Sequence, residues 1–234
     1  MKERNQYFEL IKYYLHQGER ESAVEDFYRE SAIPALNRIG INNIGVFSPF
    51  FGGNDHQLYV VIPHASLEDL YLDNEKLLTD KDIKGSEFLN SSLNNSSFIK
   101  IEKALLRAFN YLPEINIPVN LRQNEARIFE MRTYQSPGLT AAKKKIKMFN
   151  EGGELEIFKK TGLQPVFFGE TIIGRDMPNL LYLLAFENMN AREKNWSEFE
   201  NHPEWLKLKS EPDYTGTVSC ITDIILKPAS CSQI

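Results

Sequence analysis

The chain has 234 residues, of which 42% are hydrophobic and 25% charged, and a formal net charge of −5. This is the composition of a globular protein with one large domain or two small ones, and disorder is not expected. The acidic balance argues against a nucleic-acid surface, which needs a basic patch to neutralise phosphates. No window approaches the roughly 20 apolar residues of a membrane-spanning helix. The stretch Met1–Gln6 lacks the apolar core of a signal peptide, so a cytoplasmic location is expected, although a signal removed beforehand would leave no trace.

In chain order, residues 6–15 are rich in aromatic and β-branched side chains and read as a strand, ended by His16-Gln17-Gly18. Ala23, Val24, Phe27, Ser31 and Ala35 then recur near helical spacing, predicting a helix over 19–38 that Pro34 kinks and Gly40 stops. Residues 41–51 and 57–62 are two strands around the turn 52–55. Ser66-Leu67-Glu68-Asp69 is a capped helix start, and that helix runs to about Leu78. Residues 79–97, polar and rich in Ser and Asn, read as a loop with a short helix. Phe98 to Arg107 suits a strand, although Lys103-Ala104-Leu105-Leu106-Arg107 would equally suit a helix.

This β-α-β-β-α-β order is ferredoxin-like, and it recurs after Pro113 and Pro118. Phe8-Glu9 matches Phe129-Glu130 at an offset of 121, while Gly40, Gly52 and Leu58 match Gly162, Gly174 and Leu180 at 122. A constant offset over four landmarks indicates a tandem duplication. The second copy comprises a strand over 127–134, then a helix striped by Leu139, Ala142, Ile146 and Phe149 that Gly152-Gly153 weakens. In that helix the run Lys143-Lys144-Lys145-Ile146-Lys147 reads as a solvated face. A hairpin of residues 163–173 and 179–187 follows, then a helix capped by Asn190, a short one opened by Pro203, and a last strand over 216–227.

The two cysteines leave little chemistry to read. Cys220 sits in an apolar run and is expected to be a buried thiol, with no disulfide to Cys231. His16, His56, His64 and His202 lack metal-ligand spacing. No CxxC, HExxH, GxGxxG, GxSxG or phosphate-loop motif occurs, so neither metal nor cofactor is expected.

The set Phe129-Glu130-Met131-Arg132-Thr133-Tyr134, Pro137-Gly138, Gly174, Pro178-Asn179-Leu180-Leu181-Tyr182, Ala191-Arg192-Glu193, Trp196, Phe199 and Pro203-Glu204-Trp205 resembles the NIPSNAP family over residues 126–228. The first half departs from it: Ile11 stands where Arg132 stands, and nothing there matches the Arg192, Trp196 and Pro203-Glu204-Trp205 set. The expected organisation is a divergent ferredoxin-like unit over 1–112, a linker over 113–125 and a NIPSNAP-like unit over 126–234. The resemblance implies an α+β fold of the dimeric α/β-barrel type, with tandem ferredoxin-like repeats and antiparallel sheets. That superfamily includes cofactor-free oxygenases, haem-degrading enzymes, lactone isomerases and proteins with no known activity, so the family name confers no reaction.

Period-two alternation puts Glu130, Arg132 and Tyr134 on one strand face and Phe129, Met131 and Thr133 on the other. The polar face is expected to turn away from the helices. It is a candidate ligand site or an ion pair of Arg132 with Glu130 or a carboxylate of the other half. Arg192, Trp196 and Phe199 share a helix face, the two aromatics as core and the Arg192 head seeking a carboxylate. Asn179, Tyr182 and Trp205 complete the ligand-binding candidates, with Asn179 read equally as a backbone ligand after Pro178 and His202 as a surface or capping residue.

Two functions compete. One is a binding or interaction module for a small hydrophobic ligand or a protein. The other is a cofactor-free monooxygenase or isomerase acting on a hydrophobic metabolite between the sheets, with Glu130 or Tyr134 moving a proton and Arg132 holding an oxyanion. Large aromatics near strand ends, Tyr13, Tyr14, Phe50, Phe51, Phe167 and Phe168, suggest a homodimer.

Overall fold

The computed structural model of the chain describes residues 5–16, 22–50, 56–92, 95–122 and 124–234. They fall into two compact units, Met1–Leu105 with Lys227–Ile234, and Leu106–Leu226. The turn expected at 52–55 and the first residues of the helix expected from 19 lie outside the described residues.

In unit 1, β1 (Tyr7–Tyr14), β2 (Gly45–Pro49), β3 (Gln57–His64) and β4 (Lys100–Ala108) form an antiparallel sheet in the order β4-β1-β3-β2. For 98–107 the strand wins over the helix. Ile99 N–H donates to the Tyr14 carbonyl at 2.7 Å at the head of this ladder, and a partner strand overrides the helical preference of Ala-Leu-Leu. Four helices cover the sheet: α1 (Ala23–Phe27), α2 (Ile33–Arg38), α3 (Leu67–Thr79) and α4 (Lys81–Lys84). Between α1 and α2, Tyr28–Ala32 is a π-helical turn in which Ile33 N–H reaches back five residues to the Tyr28 carbonyl. Pro34 has no N–H to give, and the wider turn is how the helix accommodates it. Ser66 caps α3, its Oγ accepting from Asp69 N–H at 3.0 Å.

In unit 2, β5 (Ile128–Gln135), β6 (Gln164–Ile173), β7 (Asn179–Phe186) and β8 (Cys220–Pro228) follow the same order, β8-β5-β7-β6. Its helices are α5 (Leu139–Asn150), α6 (Glu154–Lys160), α7 (Met189–Glu200) and α8 (Pro203–Lys209). Gly153, at φ +91°, separates α5 from α6 in a left-handed conformation that a side chain would strain.

Three details differ from the sequence expectations. Asn188, two residues before Asn190, caps α7 by accepting from Ala191 N–H at 3.0 Å. Cys220 is exposed because it is the first residue of β8, whose burial is complete only at Leu226; both thiols are free. The buried stripe of α5 is Ala142, Lys145, Met148 and Phe149, leaving Leu139 exposed. Lys145 is therefore core, 2.7 Å from the buried Glu154 carboxylate and 4.4 Å from the Phe149 ring centroid. A buried ammonium persists only when paired in this way.

The two halves are similar element by element. β3 and β7 start 122 residues apart, as do α3 and α7. The β1–β3 register, with Glu9 opposite Ile62, repeats as Glu130 opposite Leu184. Among the described residues no helix is long and apolar enough to cross a membrane.

Candidate functional site

In unit 2 the polar face of β5 turns toward the helices, the reverse of the expected orientation. Glu130 is fully buried. Arg192 Nε and Nη2, from α7, donate to its two carboxylate oxygens at 2.9 and 2.8 Å, and Trp196 Nε1 donates at 2.6 Å. Arg132 Nη1 stands 3.6 Å away, with its guanidinium 4.3 Å from the Trp196 ring centroid. Arg132 Nε is buried without a hydrogen-bond partner. The opposite face, with Phe129 and Met131, is buried as well, so β5 is covered on both sides and the polar side lies where α7 can saturate it. The Arg192 head has found its carboxylate, and the Trp196 and Phe199 rings are core.

The other candidates join this packing. Tyr182 donates to Tyr134 at 3.0 Å and stacks on Phe168 at 4.5 Å. Burial pushes the Tyr134 phenol up to about 12, which keeps it protonated and unable to act as a base near neutrality. Asn179 ties the β6–β7 turn, donating to the Arg175 and Asp176 carbonyls and accepting from Thr171. Trp205 packs on Phe199 at 4.5 Å. His202 is the cap residue of α8 without a side-chain capping bond. Glu130, Arg132, Tyr134, Tyr182, Arg192 and Trp196 are thus brought together, while Asn179 and Trp205 sit apart from the carboxylate.

Unit 1 treats the same face differently. Glu9 and Tyr13 stand at the positions of Glu130 and Tyr134, but Leu70 stands where Arg192 does and Asn74 where Trp196 does. Between sheet and helices lies a half-open cavity of about 200 Å³, lined mainly by apolar side chains and by Glu9, Tyr13, Tyr28, Asn74 and Lys103. Asn74, one of its lining residues, puts a short amide where the second copy has an indole. Asn74 points its Nδ2 back to the Leu70 carbonyl at 2.9 Å, so it does not reach across as Trp196 does.

Around the Glu9 carboxylate lies a chain of polar side chains. Lys103 Nζ donates at 2.6 Å. His64 Nε2 is 3.8 Å away, too long for a hydrogen bond, while His64 Nδ1 is 3.3 Å from Asp73, itself held by Lys76 at 3.3 Å. Burial pushes the Glu9 carboxyl up, but His64 and Lys103 outweigh it and leave it below its ordinary value. Glu9 is therefore an ionised, already engaged acceptor and a weak base. The Tyr13 and Tyr28 hydroxyls, both buried, are 2.9 Å apart. Sequence reasoning passed over this set, although the repeat offset that pairs Asn74 with Trp196 was its signal. Among the described residues no group of three or more His, Cys, Asp or Glu is placed to hold a metal ion.

A candidate monooxygenase from Lactobacillus acidophilus aligns over 96% of this chain and 94% of its own at 9% identity and a TM-score of 0.62. One from Fusobacterium nucleatum aligns over 96% and 92%, at 9% identity and 0.63. At these identities the likeness shows the fold, a mixed α+β architecture of the dimeric α/β-barrel type. A NIPSNAP family protein with unknown function from Agrobacterium tumefaciens is 22% identical over 46% of this chain and 93% of its own, at a TM-score of 0.41. No curated protein matches the sequence. The NIPSNAP family model matches residues 8–113 and again 129–233, extending the resemblance to the first half, and the chain belongs to the NIPSNAP family.

Proposed function

We propose that this protein is a binding module that takes a small apolar molecule into the cavity of unit 1. The observation that carries the reading is the cavity itself, about 200 Å³, with Asn74 among its lining residues at the sequence position that Trp196 takes in the second copy. Its volume is below the roughly 300–1,000 Å³ of drug-sized sites and above the ~150 Å³ that admits benzene, so a one- or two-ring ligand fits. Glu130, Arg132, Tyr134, Tyr182, Arg192 and Trp196, the candidates that come together in the second half, are on this reading the packed counterpart of the site. Binding is preferred to catalysis because Glu9, the one carboxylate lining the cavity, is ionised and engaged by Lys103. A monooxygenase or isomerase activity has only the fold-level likeness behind it, since Glu130 and Tyr134 are committed to Arg192, Trp196 and Tyr182. Pairing into a homodimer belongs to the same proposal.

Titration calorimetry with small aromatic probes tests the reading. The chain is expected to bind one- and two-ring hydrocarbons with Kd on the order of 10–1,000 μM. Asn74→Trp, which restores the indole of the second copy, is expected to abolish that binding with the fold intact by circular dichroism. Undiminished affinity in a folded Asn74→Trp variant would place the binding elsewhere and defeat the proposal.

A further inference from the structure

Two phenols are built into the wall of the unit 1 cavity. Tyr13 and Tyr28 are each 3% exposed, with their oxygens 2.9 Å apart. Such a pair owns two hydroxyl hydrogens and spends one on the mutual bond, and among the described residues neither oxygen has another hydrogen-bond partner. A buried donor left without an acceptor is unfavourable, and a cavity beside it is where an acceptor would enter. The second copy has a buried phenol pair too, Tyr134 with Tyr182 at 3.0 Å, but both of those residues lie on strands, and Phe149 stands at the position of the helical Tyr28.

Burial keeps the pair in its donating form, pushing Tyr13 up to about 12 and Tyr28 well above its ordinary value. At the Glu9 side the carboxylate is occupied by Lys103 at 2.6 Å. A ligand cation would have to displace that lysine, and a ligand anion would face the carboxylate. A neutral acceptor faces neither cost.

We propose that the ligand is a one- or two-ring neutral carbonyl compound whose oxygen accepts the spare hydroxyl hydrogen of the Tyr13–Tyr28 pair while its ring body fills the apolar remainder. This rests on the binding reading given above for the same cavity.

Three probes of similar body separate the possibilities by calorimetry: tetralin, 1-tetralone and 1-naphthoate. The ketone is expected to bind about tenfold tighter than the hydrocarbon, and naphthoate no tighter than the hydrocarbon. In the double variant Tyr13→Phe/Tyr28→Phe, which removes both hydroxyl hydrogens, the preference for the ketone is expected to fall to about onefold to threefold while tetralin affinity is unchanged, a split that loss of folding would not produce; either single variant frees the remaining hydroxyl to donate and is expected to keep the preference. Equal affinity for tetralin and 1-tetralone in the unmodified chain would overturn the carbonyl assignment and leave the cavity reading standing. Tightest binding of naphthoate would overturn it in favour of an anion site at Lys103. Failure of all three to bind would remove the cavity reading itself.

Discussion

The carboxylates of Glu9 and Glu154 show how the same residue type carries opposite pH signatures. Glu9 lies below its ordinary value because His64 and Lys103 outweigh its burial. Its contribution to stability is therefore complete above the ordinary carboxyl value of 4.5 and is lost as pH falls through the lowered folded value. Glu154 is raised by burial, with Lys145 only partly offsetting it; its cost is largest above the raised value and eases on acidification. In denaturant titrations, the stability difference between the unmodified chain and Glu9→Gln is expected to be widest above pH 5 and to narrow toward pH 3. A difference constant across that range would mean that Glu9 is not the carboxylate held low. At this scale the sequence exposed residue types and alternation but no partners. Lys145 lies in a run of four lysines, and only the placement of Glu154 nine residues later, across a break, makes it core.

The helix α7 is fastened to β5 through one carboxylate that receives three short hydrogen bonds, two from Arg192 and one from Trp196. Removing it strands a guanidinium and an indole N–H in the interior, so Glu130→Ala is expected to destabilise unit 2 by about 3–5 kcal/mol. Hydrogen exchange localises the effect: protection should be lost first in α7, and an unchanged α7 would show the pair to be dispensable. The strands and α3, α5, α7 and α8 were legible because periodicity, Ser66 and Pro203 marked them locally. The orientation of the β5 polar face was not, because alternation says which residues share a face and cannot say which face a helix will cover. The first helical layer is a similar case. Both units break it at equivalent positions by different means, Gly153 in one and a π-helical turn ahead of Pro34 in the other, and a kink could be read from Pro34 but its π form could not.

As a whole the chain repeats one ferredoxin-like plan and differs most in how the face of its first strand is used. The repeat was visible in an offset of 121–122; the cavity was not, because a void is set by what side chains fail to reach. Of the aromatics that suggested self-association, Tyr13, Phe167 and Phe168 are buried, Tyr14 and Phe50 are half-buried, and Phe51 lies outside the described residues. The proposed homodimer therefore relies on exposed side chains such as Leu67 and Tyr71 of α3. Light scattering at micromolar concentration is expected to give twice the chain mass of 27.0 kDa, and a stable value of 27.0 kDa would remove the dimer from the proposal. The asymmetry between Trp196 and Asn74 also has an optical consequence. The chain has two tryptophans, Trp196 and Trp205, both in unit 2, so near-300 nm excitation illuminates that unit alone. Emission from the unmodified protein will follow the melting of the packed copy and stay blind to the hollow one, whereas Asn74→Trp, by closing the cavity, also gives unit 1 its own fluorophore.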